Sequence, residues 1–246
     1  MPPVVHHLAD RLDGLGWVTD LLVAGSLATG DYVPGVSDLD LVALTMGPVG
    51  QARQEMLTGL HRELDRGAAH GLDLGCVYVD ARRLADLGAL HPTWTHGSLI
   101  QRSLSGVTRA ELVRHGFAAM GRPPAAVLPD MTDDDVRRAA RAELCGPWAQ
   151  TARRPLWWLN PVIADLGLTS MARGRHALQT GQLLTKTQAI ERAHAPAWLK
   201  NQLRARRRGQ RIASPRIRTA LIAWQDARRT VASARRGGAG LNAHVR

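Results

Sequence analysis

Asp38 and Asp40 stand two residues apart at the head of an apolar run, Val36-Ser37-Asp38-Leu39-Asp40-Leu41. In a strand, residues i and i+2 share a face, so the two carboxylates project side by side. Adjacent carboxylates in a partly dry site repel each other unless a cation lies between them. The pair therefore points to hard divalent metal ions, first among them Mg²⁺. Upstream, Gly25-Ser26 interrupts a second apolar run, Val23-Ala24-Gly25-Ser26-Leu27-Ala28-Thr29-Gly30. Glycine permits close backbone approach, and N–H groups at a helix start attract anions, so this turn suits a phosphate. Either motif alone is common. Joined by a short loop between apolar strands, they describe equipment for phosphoryl or nucleotidyl transfer.

A third acid, Asp73, sits in an alternating run. Leu72, Leu74, Cys76 and Tyr78 take one face; Asp73, Gly75, Val77 and Val79 take the other. A carboxylate in an apolar strand is costly unless paired or metal-bound, and Gly75 leaves open space beside it. If this strand neighbours the one carrying Asp38 and Asp40, three carboxylates line one end of a small sheet and hold the metal together. Lys186 follows Thr185 at a helix start, where backbone N–H groups, the helix dipole and the ammonium all favour a triphosphate.

The elements that must position these groups follow from periodicity and punctuation. A helix is expected over residues 4–16, strands over 21–24, 38–45 and 72–79, and a helix over 49–66. Between residues 80 and 130, helical patches appear at 84–90, 97–104 and 109–119, and Gly121-Arg122-Pro123-Pro124 marks a boundary. From residue 131 the pattern is helical throughout. Thr132 with Asp135 and Thr185 with Gln188 make capping boxes, and Asn160-Pro161 is a cap with proline at the first helical position. Gly146-Pro147 is expected to interrupt. Ser214-Pro215 starts a last helix with Ile217, Leu221, Trp224 and Val231 as its apolar stripe. The expectation is an α+β protein: a small mixed-sheet domain over residues 1–125, an all-α helical bundle over 126–236, and a flexible tail over 237–246.

The chain carries +11 overall, unevenly. Residues 1–130 hold 10 basic and 14 acidic side chains; residues 131–246 hold 22 and 7. A basic half binds polyanions or simply solvates. Only two lysines, Lys186 and Lys200, occur beside thirty arginines. Two cysteines make no disulfide framework. No apolar run reaches membrane-spanning length and the first residues are no secretory signal, so a cytoplasmic monomer without membrane contact is expected.

The Gly25-Ser26 and Asp38-x-Asp40 pattern resembles the nucleotidyltransferase superfamily that includes polymerase β and many antibiotic-modifying enzymes. Residues 167–195, with Leu168-Thr169, Arg173, Thr180-Gly181 and Lys186, resemble the helical domain of aminoglycoside adenylyltransferases that modify streptomycin and spectinomycin. Residues 114–135 resemble that family's interdomain connection. The resemblance implies ATP as co-substrate, Mg²⁺, and transfer of AMP to a hydroxyl of a small acceptor such as streptomycin or spectinomycin. It places Ser26 and Ser37 on the triphosphate, Asp38 and Asp40 on Mg²⁺, Asp73 at the position of the general base, Arg173 and Lys186 on ATP phosphates, and Trp94 near the acceptor.

Two departures stand out. The third carboxylate is aspartate where the family has glutamate, one methylene shorter. The segment before Arg173, Trp157-Trp158-Leu159-Asn160-Pro161-Val162-Ile163-Ala164-Asp165, holds one acid, Asp165, where the family meets a cationic drug with several. A protein or metabolite hydroxyl is the alternative acceptor. A different class altogether is an inactive module whose arginine cluster, Arg204 to Arg218, binds nucleic acid. Few aromatics interleave that cluster, which speaks against stacking on single strands, and three acids with Lys186 favour the enzyme.

Overall fold

The structure is a computed structural model and describes residues 1–239. The chain divides into two compact units, Met1–Asp130 and the remainder from Met131. The first runs α1 (Pro3–Asp13), β1 (Val18–Val23), α2 (Gly25–Ala28), β2 (Leu39–Thr45), α3 (Gln51–Arg66), β3 (Leu74–Asp80), β4 (Leu90–Thr95), β5 (Ser98–Ser103), α4 (Gly106–His115), β6 (Phe117–Met120) and α5 (Pro124–Val127). These strands form one mixed sheet in the order β5-β4-β3-β2-β1-β6. Only β2 and β3 are parallel neighbours; the α3 crossover between them makes that possible. Leu39, Leu41, Leu74, Cys76 and Tyr78 pack with Leu8 and Leu57 on one face. Val42, Leu44 and Val79 pack with Leu104 and Leu112 on the other. Burial on both faces explains why β2 reads as a continuous apolar run.

Residues 97–104, expected to be helical, instead form β5 of a hairpin with β4, paired from Thr95–Ser98 to Leu90–Ser103. The turn is His96-Gly97, with φ of +47° and +74°. Positive φ at both central residues is the tight hairpin turn that matches strand twist. Residues 84–90 form no helix; a short 3₁₀ turn, Ala81–Arg83, follows β3 instead. The third patch is helical as α4 but gives way to strand β6 at Phe117.

The second unit contains α6 (Asp133–Glu143), α7 (Ala149–Ala152), α8 (Pro161–Thr180), α9 (Lys186–Arg192), α10 (Ala197–Arg207) and α11 (Arg216–Ala239). Both capping boxes form, at Thr132/Asp135 and Thr185/Gln188. Asn160 Oδ1 accepts from the Val162 N–H at 2.9 Å, and Gly181 ends α8 at φ +73°. Gly146-Pro147 does not break the chain direction as expected: a single π-helical turn, Leu144–Trp148, carries α6 on to α7. The stripe expected on α11 holds at Trp224 and Val231 and is corrected at Ile217 and Leu221. Ile217 is 77% exposed and Leu221 48%, while Ala220, Ala223, Ala227, Val231 and Ala234 face the core. Small residues let α8 and α11 approach closely, and the Arg175–Asp226 ion pair (2.7 Å) crosses that contact. Of the expected tail, residues 237–239 belong to α11 and residues 240–246 lie outside the described residues.

Candidate active site

The turn after β1 is built against β2. Ala24 N–H donates to the Asp40 carbonyl at 2.9 Å, and Gly25 takes φ +61°. A Cβ on Gly25 would lie 2.0 Å from Asp40 Oδ2, so the carboxylate occupies the space that glycine vacates. Ser26, 6% exposed, opens α2 with a buried hydroxyl that meets no protein partner. Leaving such a group unpaired costs about 1–3 kcal/mol, which a phosphate oxygen would recover. Ser37 is buried, and its hydroxyl accepts from the Val33 N–H at 3.0 Å. That bond shapes the loop delivering Asp38 and Asp40 to the start of β2. A carboxylate just before β2 and another within it, the latter seated beside a glycine turn, suit a hard cation such as Mg²⁺.

β3 does lie beside β2, with Asp40 opposite Gly75. The Leu39 N–H donates to the Asp73 carbonyl at 2.8 Å, so Asp73 enters the sheet next to the aspartate pair. Its carboxylate is not gathered with theirs. Its Oδ2 lies 3.5 Å from His96 Nδ1 at the β4–β5 turn, and the side chain is half exposed. It also acts on Asp65, whose pKa burial raises, with the Trp94 indole hydrogen bond opposing and the Asp73 charge adding to the rise. Among the described residues, no three His, Cys, Asp or Glu side chains are grouped to hold a metal. The three-acid metal set expected of Asp38, Asp40 and Asp73 is therefore not formed as one group in this structure.

The space left by Gly75 is part of a cleft of about 460 Å³ bordered by Asp40, Val77, Thr93, Thr95, Ser105 and Thr108. Trp94 also borders it. The indole is 1% exposed, belongs to the core and stacks on His61 at 4.9 Å. The indole that the resemblance places near the acceptor packs in the core in this structure.

In the second unit, Arg173 Nε donates to the Leu184 carbonyl at 3.0 Å. This brings the Arg173 side chain of α8 to the turn that carries Thr185 and Lys186. Asp165 accepts two hydrogen bonds from Arg206, at 2.6 and 2.9 Å. Burial raises its pKa and Arg206 opposes the rise. It borders a pocket of about 220 Å³ with Trp158, Pro161 and Ile212. The acid expected to meet a cationic acceptor has its charge already met. His96 escaped the sequence reading; the signal that could have found it is Thr95-His96-Gly97-Ser98, a two-residue hairpin turn with a histidine where Asn or Asp is usual.

The first unit is a mixed sheet whose Gly-Ser turn is braced against Asp40 at the start of β2, and a helical unit follows it in the chain. In three dimensions the chain is similar to spectinomycin adenyltransferase AAD(9) from Enterococcus faecialis, solved with ATP and spectinomycin. The TM-score is 0.66, over 87% of this chain and 92% of that one, at 17% identity. No family model matches the chain, and no curated protein matches its sequence. The likeness is thus one of fold. No helix among the described residues is long and apolar enough to cross a membrane.

Proposed function

We propose that the protein is a Mg²⁺-dependent adenylyltransferase that moves AMP from ATP to a hydroxyl of a small aminoglycoside or aminocyclitol acceptor, conferring antibiotic resistance. The observation that carries this reading is the Asp40 carboxylate seated in the void of Gly25, beside the unpartnered hydroxyl of Ser26. Bound Mg²⁺ supplies charge neutralisation on the triphosphate and orients its α-phosphorus. Asp38 and Asp40 hold it. Gly25, Ser26 and Ser37 cradle phosphate oxygens, and Arg173 and Lys186 carry the charge of the departing pyrophosphate, since positioning and electrostatics do most of such chemistry. Asp73 belongs to the general-base machinery that serves the acceptor hydroxyl, an effect typically worth ~10²–10⁴ in rate. The hydroxyl oxygen attacks in line, the bond to pyrophosphate breaks, and AMP remains on the acceptor. Asp165, paired with Arg206, offers an acceptor a neutral ion pair rather than a bare acid. The protein works as a cytoplasmic monomer.

The nucleic-acid reading is weaker, because four of the seven arginines between positions 204 and 218 are engaged within the chain. Arg204 pairs with Glu191, Arg206 with Asp165, Arg216 bonds the Leu159 carbonyl and Arg218 lies over Trp198. A pyrophosphate-release screen with ATP, Mg²⁺ and a panel of aminocyclitols tests the function. Release with streptomycin or spectinomycin is expected. Silence across the panel moves the reading to a protein or metabolite hydroxyl.

A further inference from the structure

His96 is the one non-glycine residue among the described residues with positive φ, +47°. Histidine, like Asn and Asp, adopts that conformation more readily than most non-glycine residues, and Gly97 beside it completes the turn at +74°. The turn joins β4 and β5, and β4 pairs antiparallel with β3. It therefore falls at the end of the sheet where β3 begins. Because β2 runs parallel to β3, that is also the end where Asp38 and Asp40 enter. At this end, His96 Nδ1 stands 3.5 Å from Asp73 Oδ2, the imidazole three-quarters exposed. Hydrogen bonds in catalytic pairs are often long before substrate binds. Asp65 is the other acid that bears on Asp73.

We propose that His96 is the proton acceptor for the attacking hydroxyl and that Asp73 orients it, a dyad in place of a single carboxylate; this rests on the adenylyltransferase reading. An aspartate is one methylene shorter than a glutamate, and an imidazole held on its far side extends its reach outward. Asp73 fixes the Nδ1 side, leaving Nε2 toward solvent and substrate. The acceptor O–H bond breaks, its proton passes to Nε2, and the oxygen pair forms the bond to the α-phosphorus. The bond between that phosphorus and pyrophosphate breaks, and pyrophosphate carries the electron pair away. The imidazolium, stabilised by the Asp73 carboxylate, returns its proton to water.

The test is imidazole rescue of His96→Gly. Glycine suits the positive φ of the turn, so the hairpin survives the change. Pyrophosphate release from Mg²⁺ and ATP, with spectinomycin as hydroxyl donor, is followed in the wild type first. Activity there supports the parent reading; its absence overturns the drug-acceptor reading and with it the dyad proposed to serve that acceptor. In His96→Gly the rate is expected to fall roughly 10²- to 10³-fold, and added imidazole is expected to restore it in proportion to concentration. The double variant His96→Gly with Asp73→Asn is expected to resist rescue. A His96→Gly enzyme within twofold of wild type, or a loss that imidazole leaves unchanged, overturns the dyad while leaving the transferase reading in place.

Discussion

At the residue scale the site turns on how little room Asp40 has. Gly25 combines φ +61° with a Cβ position 2.0 Å from Asp40 Oδ2. Gly25→Ala must therefore strain the turn or expel the carboxylate. We expect a stability loss of about 1–3 kcal/mol and a fall in pyrophosphate release of at least roughly 10²-fold, as displaced catalytic groups cost that much; thermal melting and initial rates measure the two effects separately. A second residue-scale outcome concerns His61, fully buried against Tyr78 and Trp94. Burial pushes its pKa down to about 3, whereas the unfolded ring titrates near its ordinary 6.5. The unfolded chain takes up the proton first, so the contribution is full above pH 6.5 and drains as pH falls toward 3, by at most about 1.4 kcal/mol per pH unit. Urea unfolding at pH 7 and pH 5 should show a steeper loss for the wild type than for His61→Gln. The aspartate pair and the Gly-Ser turn were legible from their spacing. The direction of Asp73 was not, since its carboxylate lies beside His96 at a hairpin turn that the sequence pattern did not reveal.

At the element scale, local chemistry was the best guide. Thr132/Asp135, Thr185/Gln188 and Asn160-Pro161 name their helix starts because each cap is satisfied within a few residues. The β4–β5 hairpin stayed hidden because β5 is an edge strand, exposed along nearly all its length, and shows no apolar alternation to read. The buried face of α11 stayed hidden because alanines carry it; bulky residues advertise a core, small ones advertise only close approach. α8 shows what such approach demands. A Cβ at Gly167 would lie 2.3 Å from Trp158 Cζ3. In an exposed helix Gly→Ala gains up to about 1 kcal/mol, but overpacking costs about 1–3 kcal/mol. Gly167→Ala is expected to destabilise the protein, read as a lower urea midpoint with an unchanged slope; a raised midpoint contradicts the packing of Trp158 against α8.

At the scale of the whole molecule, charge divides with the units. Fourteen of the 21 acids fall in residues 1–130 and 22 of the 32 basic residues beyond. That asymmetry was plain in the sequence, but its use was not, because which arginines are paired depends on tertiary contacts. With Arg204, Arg206, Arg216 and Arg218 engaged internally, binding of duplex DNA at physiological salt should be no tighter than the non-specific range, Kd ~10⁻⁴–10⁻⁶ M. Fluorescence anisotropy across a salt series measures it, and tight binding with a steep salt slope would restore the nucleic-acid reading.

The central claim is that Asp38 and Asp40 support transfer of the α-phosphoryl group of ATP to a hydroxyl. Its most direct measurement follows label from α-³²P-ATP into spectinomycin, with wild type, Asp38→Asn and Asp40→Asn compared at equal folded concentration. Label on the drug with the wild type alone is the expected result, dependent on Mg²⁺. Undiminished labelling by Asp40→Asn would contradict the metal-holding role on which the chemistry depends.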